Sequence, residues 1–245
     1  MTRAPAVAEA LAALARTFDA LHEADVRANP GGLLANDRPR AVAAIDTALD
    51  ATLDGFHALC LATDAQLPDV PVDWYADDDV ALVLGLRAAR LRGDAHRPRT
   101  IYAAHAQHAA RPTALEHYVL VDFDYAVERA DAFDVFLSWS DFDACLGHDG
   151  AAQDLHPATI ARIRSYLGAD DFPHYAAHHA LPVERVFFNV VPLFVNAGAT
   201  IATLIAPVVE TDAQAQALLG HRFAATARAD TRRPQVLSGP FLLPA

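Results

Sequence analysis

The sequence predicts an α+β fold, with a mainly helical N-terminal half followed by a mixed or antiparallel sheet with helices in the C-terminal half. Two observations predict it. Apolar residues recur at helical spacing through the first hundred residues, and from about residue 115 they alternate with polar residues, as in a half-buried strand. A hydrophobic fraction of 53% supplies a core. We therefore expect a single domain over residues 1–245, with a helical region 1–111 and a mixed region 112–245.

Three long helices and a short one are predicted in the N-terminal region. The first has a stripe of apolar residues from Val7 to Leu21, and the second begins after Asp37, a residue type that caps helices. The third begins at Asp77–Asp79, because the N-terminus of a helix favours negative charge. Its predicted buried stripe comprises Val80, Val83, Leu84, Ala88 and Leu91, and the core is expected to include Leu14, Phe18, Ile45, Leu49, Val83 and Leu84.

The C-terminal region is predicted from shorter patterns. Val119, Val121 and Phe123 alternate with polar residues and indicate a strand, although a Thr113-x-x-Glu116 capping box leaves a helix, and hence an all-α fold, as the rival interpretation. Residues 133–146 fit either element. Two helices are expected, from Pro157 to Gly168 and from Thr211 to Gly220. The nearly uncharged segment 186–209 is predicted to form two buried strands that turn at Asn196-Ala197-Gly198, rather than a membrane span.

The charged residues exclude several classes of protein. All 19 cationic residues are arginine, so the chain lacks the primary amine that Schiff-base enzymes, kinases and phosphate-loop proteins need. A net charge of −12 disfavours nucleic acid and anionic membrane as partners and favours a basic protein. Two cysteines do not make a disulfide scaffold, which predicts a reducing, cytoplasmic location. The oligomeric state is not predicted.

An Asp-x-Asp pair, Asp122 and Asp124, ends the apolar run that begins at Tyr118. Such pairs hold Mg²⁺ or Mn²⁺ in several transferases and hydrolases, because hard cations prefer oxygen ligands. The run resembles the opening motif of haloacid-dehalogenase-like phosphatases over these few residues only, since that family's later lysine is absent here. The alternation of apolar and polar residues also predicts, without any metal, that both aspartates lie on the solvent-exposed face of a strand.

Other residues with metal or catalytic chemistry are scattered along the chain. Cys145 and His148 have the spacing of metal ligands and of a nucleophile with its base, and His174 and His178 lie one helical turn apart. Asp141 completes the predicted set of metal ligands, for Mg, Mn or Zn: Asp122, Asp124, Asp141, His148, His174 and His178. A basic patch of Arg87, Arg90 and Arg97 is a candidate anion site.

Two functions remain open from the sequence. The first is a non-catalytic binding protein without a cofactor, which neutralises or carries a basic protein partner, as an immunity protein or an adaptor does, through acidic surface that includes Asp77–Asp79, Asp122, Asp124, Asp141 and Asp143. The second is a metal-dependent enzyme of phosphoryl, nucleotidyl or glycosyl transfer or of hydrolysis, with Asp122 and Asp124 as ligands. The binding protein is the preferred hypothesis, because none of the catalytic patterns is complete.

Overall fold

The fold is taken from a computed structural model, which describes residues 4–29, 31–66, 72–91, 97–108, 115–125, 132–147, 155–205, 220 and 222–241. Within these ranges helices dominate, and four strands form one small mixed sheet. The α+β prediction is therefore confirmed and the all-α alternative is wrong. The helix predicted from Thr211 to Gly220 lies almost wholly outside the described residues.

The N-terminal half is a layer of helices. They are α1 (Pro5–Ala28), α2 (Leu33–Asn36), α3 (Arg38–Gln66), α4 (Asp78–Leu91) and α5 (Ile101–His108). Asp37 caps α3 as predicted, since its carboxylate accepts a hydrogen bond from the Arg40 backbone at 3.2 Å. Gly55 of α3 allows the close approach of α1, because a Cβ there would lie 3.1 Å from Leu14.

The sheet has the order β2-β3-β1-β4. Its strands are β1 (Glu116–Asp122), β2 (Phe136–Ser138), β3 (Val186–Asn189) and β4 (Gln235–Phe241). β1 and β3 are parallel, with Val119 beside Val186, whereas β2 and β4 are antiparallel edge strands. The ambiguous segment 133–146 forms both predicted elements in turn, because β2 leads directly into helix α6 (Trp139–Gly147).

The remaining helices are α7 (Pro157–Leu167), α8 (Phe172–His178) and α9 (Val191–Ile205). The predicted pair of strands turning at Asn196-Ala197-Gly198 is wrong: a single strand, β3, is followed by α9. Pro192 lies in the first turn of α9, where its missing N–H costs nothing. The triplet Asn196-Ala197-Gly198 is typical of a turn, but in α9 Asn196 and Gly198 are both buried inside the helix.

The core draws on both halves of the chain. All six predicted core residues of the helical region are buried, each at most 6% exposed. The prediction that Leu91 is buried is wrong, because its side chain is 54% exposed. The neighbouring residue, Arg90, is buried instead. Gly198 lies against the ring of Phe223, where even a Cβ would come within 2.4 Å. Among the described residues, no helix combines the length and the apolar character needed to cross a bilayer.

Candidate functional site: an acidic cleft at the start of α4

The N-terminus of α4 forms one wall of a surface cleft, which we call the acidic cleft. Two adjoining cavities of about 350 and 390 Å³ make up the cleft. They share Asp78, Asp79, Tyr166 and Arg228 in their walls. These volumes lie within the roughly 300–1,000 Å³ typical of small-ligand sites. The cleft is therefore large enough to hold a side chain of a partner.

Asp79 is the buried anchor of the cleft. Its side chain is 7% exposed, and one carboxylate oxygen accepts hydrogen bonds from the guanidinium of Arg228 and, at 2.7 Å, from the Thr200 hydroxyl of α9. The other oxygen accepts from the backbone N–H of Val80 at 2.8 Å. A buried carboxylate is stable only with such partners, so Asp79 links α4, α9 and the segment before β4.

Tyr166 and Asn196 form a second polar pair in the cleft. The Asn196 amide donates to the Tyr166 hydroxyl at 2.7 Å and to the Ala229 carbonyl at 3.0 Å, and its oxygen accepts from the Ala229 N–H at 2.8 Å. Burial raises the pKa of Tyr166, so it remains a neutral phenol at pH 7. Because its oxygen accepts from Asn196, the hydroxyl proton can be donated into the cleft.

The carboxylates at the entrance carry excess negative charge. Asp78 pairs with Arg162 at 2.8 Å, whereas Asp77 has no ion-pair partner among the residues that the structure describes. Burial raises the pKa of Asp77, and the negative charge of Asp79 raises it further. Arg228 pairs with Asp79 and Arg162 with Asp78, so of the three carboxylates that line the first cavity Asp77 carries the excess negative charge.

A second group of carboxylates lies at the C-terminal ends of the parallel strands β1 and β3. Asn189 is fully buried there, and its amide nitrogen donates to Asp122 and to Asp134, each at 2.8 Å. Its oxygen accepts from the backbone N–H groups of Val135 at 3.2 Å and Val191 at 3.1 Å. Every hydrogen-bonding position of this amide is used, so Asn189 holds two carboxylates of like charge near each other.

Asp25 of α1 adds a third carboxylate to this group. Burial raises the pKa of Asp25 to about 6, the hydrogen bond from Asn29 lowers it, and the charge of Asp134 raises it. Burial likewise raises the pKa of Asp134, with a further contribution from Asp122. Within the described part of the chain, no cation forms an ion pair with any of these three carboxylates.

The predicted metal ligands that the structure describes form no cluster of three or more. Asp124 is exposed beyond the end of β1, and both oxygens of Asp141 accept hydrogen bonds from Arg99, at 2.7 and 2.8 Å. His174 and His178 are exposed on α8, one turn apart. Among the described residues no three His, Cys, Asp or Glu side chains are arranged to hold a metal ion. The predicted ligand His148 lies outside those residues, so the metal site stays a prediction.

The predicted nucleophile and anion site have different surroundings. Cys145 is buried on α6, and its proposed base, His148, lies outside the described residues. The arginines of the predicted anion site form ion pairs with aspartates of α3: Arg87 pairs with Asp54, and Arg90 with Asp46 and Asp50. Arg97 also pairs with Asp50. An anion would have to compete with these carboxylates, and the anion site remains a prediction.

Sequence reasoning missed most of the cleft. Asp77–Asp79 were found through their helix N-terminal charge, but Tyr166, Asn196 and Arg228 lie far apart along the chain and share no spacing. One signal was present for Asn189 and Asn196. Amides inside an apolar run must be hydrogen-bonded if the run is buried, so each marks a place where other polar groups meet.

Comparison with known proteins gives no relative for this chain: no family model, no curated protein and no solved structure matches it.

Proposed function

We propose that this protein is a non-catalytic binding protein that engages a basic protein partner, and that the acidic cleft receives a cationic side chain of that partner. The observation that carries the proposal is Asp77, which has no ion-pair partner among the described residues and lies beside Asp78 and Asp79 in an open cleft. A cation entering the cleft would relieve the repulsion among these carboxylates.

The distribution of charge over the molecule supports this choice of surface. Several acidic residues that the sequence placed on the binding surface are ion-paired within the chain: Asp141 with Arg99 and Asp143 with Arg164, and in the cleft Asp78 with Arg162 and Asp79 with Arg228. Their contribution to attracting a partner is therefore small. Asp77 has no such partner among the described residues, so its negative charge at the entrance of the cleft attracts a cation there.

The cleft also suits the shape of a long cationic side chain. Leu204 is 40% exposed and lines the same cavity as Asp77 and Tyr166. An arginine or lysine side chain needs apolar surface along its stem and carboxylates around its charged end. The exposed leucine and the Tyr166 ring supply the first of these, and the aspartates supply the second.

Binding of a labelled oligo-arginine peptide at low salt tests the proposal, with fluorescence anisotropy as the measurement. We expect Asp77→Asn to weaken binding roughly twofold to fivefold, the contribution of one solvent-exposed ion pair. Asp170→Asn is the matched control, because it removes one negative charge from an exposed aspartate that has no ion-pair partner among the described residues and does not line the cleft. Equal loss in both variants would show that only net charge matters and would refute the assignment of the cleft.

A metal-dependent enzyme is the second proposal, and the position of Asp122 favours it. Asp122 ends β1 beside the parallel strand β3, and active sites of sheets with parallel strands are built at such ends. Asp134 is held next to it by Asn189. Melting curves with EDTA and then with Mg²⁺, Mn²⁺ or Zn²⁺ separate the two functions. We expect no shift; a rise that Asp122→Asn abolishes would favour the enzyme.

A further inference from the structure

A small cavity of about 140 Å³ lies at the opposite, N-terminal ends of β1 and β3. We call it the arginine cavity, because Arg99 and Arg185 line it together with Tyr118, Ser140 and Asp141. It shares no lining residue with the acidic cleft. Its volume is well below the roughly 300–1,000 Å³ of sites for drug-sized ligands, so an occupant must be small.

Arg185 lines this cavity, and one of its hydrogen-bond donors is not used by the described residues. Its Nη2 pairs with Glu116 at 3.0 Å, and its guanidinium carbon lies 5.0 Å from the centre of the Tyr118 ring. The other terminal nitrogen, Nη1, is buried and has no hydrogen-bond partner among the residues that the structure describes. A buried charged donor is costly when it makes no hydrogen bond, so this nitrogen favours an acceptor in the cavity.

A hydroxyl and a helix N-terminus face the same space. Ser140 lies in the first turn of α6 and lines the cavity. Its Oγ is 3.3 Å from that of Ser138, whose Oγ accepts from the Asp141 N–H. The first turn of a helix carries partial positive charge, which attracts an anion.

Two carboxylates near the cavity, Asp141 and Glu116, are already neutralised. Asp141 receives two hydrogen bonds from the Arg99 guanidinium, and Glu116 is paired with Arg185. Glu184 also lines the cavity, but it is exposed to solvent, where water weakens its repulsion of an anion.

We propose that the arginine cavity binds a small oxyanion, either inorganic phosphate or the carboxylate of a small acid, through the Arg185 guanidinium and the Ser140 hydroxyl. Planar guanidinium groups and serine hydroxyls are donors that suit both anions. This site is independent of the basic partner at the acidic cleft, and it differs from the patch of Arg87, Arg90 and Arg97.

Isothermal titration of the whole protein with phosphate, acetate and chloride, at one pH and constant ionic strength, tests this inference. We expect saturable binding of phosphate, of acetate or of both, and none of chloride. Binding of only one oxyanion identifies the source of the ligand. Heats for phosphate and acetate that match those for chloride would overturn the proposal.

Two variants and a control assign the binding to the cavity. Arg185→Lys keeps the charge that pairs with Glu116 but loses the second guanidinium nitrogen, so we expect binding of the oxyanion to weaken about tenfold or more. Ser140→Ala is expected to weaken it less and leaves the arginine in place. Arg164→Lys is the matched control, since Arg164 is ion-paired to Asp143 and does not line this cavity. Equal affinity in Arg185→Lys and Arg164→Lys would refute the assignment.

Discussion

Replacement of Asn189 by leucine tests the polar centre at the ends of β1 and β3. Leucine has a similar size but no hydrogen-bonding groups, so the change removes four hydrogen bonds at a fully buried position. The backbone N–H groups of Val135 and Val191 lose their acceptor, at ~1–3 kcal/mol for each buried unpaired group. Asp122 and Asp134 lose their shared donor, although water reaches part of them. We expect the free energy of unfolding to fall by about 3–5 kcal/mol.

Urea denaturation at pH 7 measures this loss through the unfolding midpoint. Asn36→Leu is the control, because Asn36 is exposed and donates one hydrogen bond, to the Gly32 carbonyl at 2.9 Å. That change should cost less than about 1 kcal/mol. If Asn189→Leu lowered the free energy of unfolding by no more than Asn36→Leu does, the hydrogen bonds of Asn189 would not stabilise this end of the sheet, and the prediction would be refuted.

Three further changes test the charge and the packing of the fold. The raised pKa of Asp25, about 6, means that the folded state binds its proton more tightly than the unfolded state does, so stability falls between about pH 4 and 6 and stays lower above it. Asp25→Asn should therefore stabilise the protein at pH 7.5 by about 1 kcal/mol and have little effect at pH 4. Urea denaturation at the two pH values measures this difference, and an equal effect at both would contradict the prediction. Gly198→Ala should lower the melting temperature, because its Cβ would overlap the buried ring of Phe223. Gly85→Ala should be neutral or stabilising, because the nearest atom to its Cβ would be 3.5 Å away. If Gly85→Ala lowered the melting temperature more than Gly198→Ala, Phe223 would not lie against Gly198. Leu49→Ala should cost ~2–5 kcal/mol in thermal unfolding, and a neutral result would remove Leu49 from the core.

The helical half was predictable because its signals are local. A cap such as Asp37 and an apolar stripe such as the one in α1 depend on residues a few positions apart. The same holds for β1, where alternation places Val119 and Val121 in the core. Residues 191–205 were mispredicted because the segment carries no charged residue that would mark a polar helix face, and because Asn196-Ala197-Gly198 has the composition of a turn although it lies inside α9.

The sites depend instead on contacts between distant parts of the chain. Arg228 reaches Asp79 across 149 positions, and Asn189 reaches Asp122 across 67. No spacing rule connects such residues, so the sequence could identify the carboxylates but not their partners. The prediction of a basic partner follows from net charge, which is a property of the whole chain. Which carboxylates remain uncompensated follows only from the fold.

The titration of the Asp77 carboxyl by NMR, with and without the oligo-arginine peptide, tests most directly the claim that the acidic cleft binds a cation. In the free protein its pKa is raised by burial and by the charge of Asp79. A cation in the cleft favours the charged form, so we predict that the peptide lowers the pKa of Asp77. An unchanged pKa of Asp77 at saturating peptide would contradict the account.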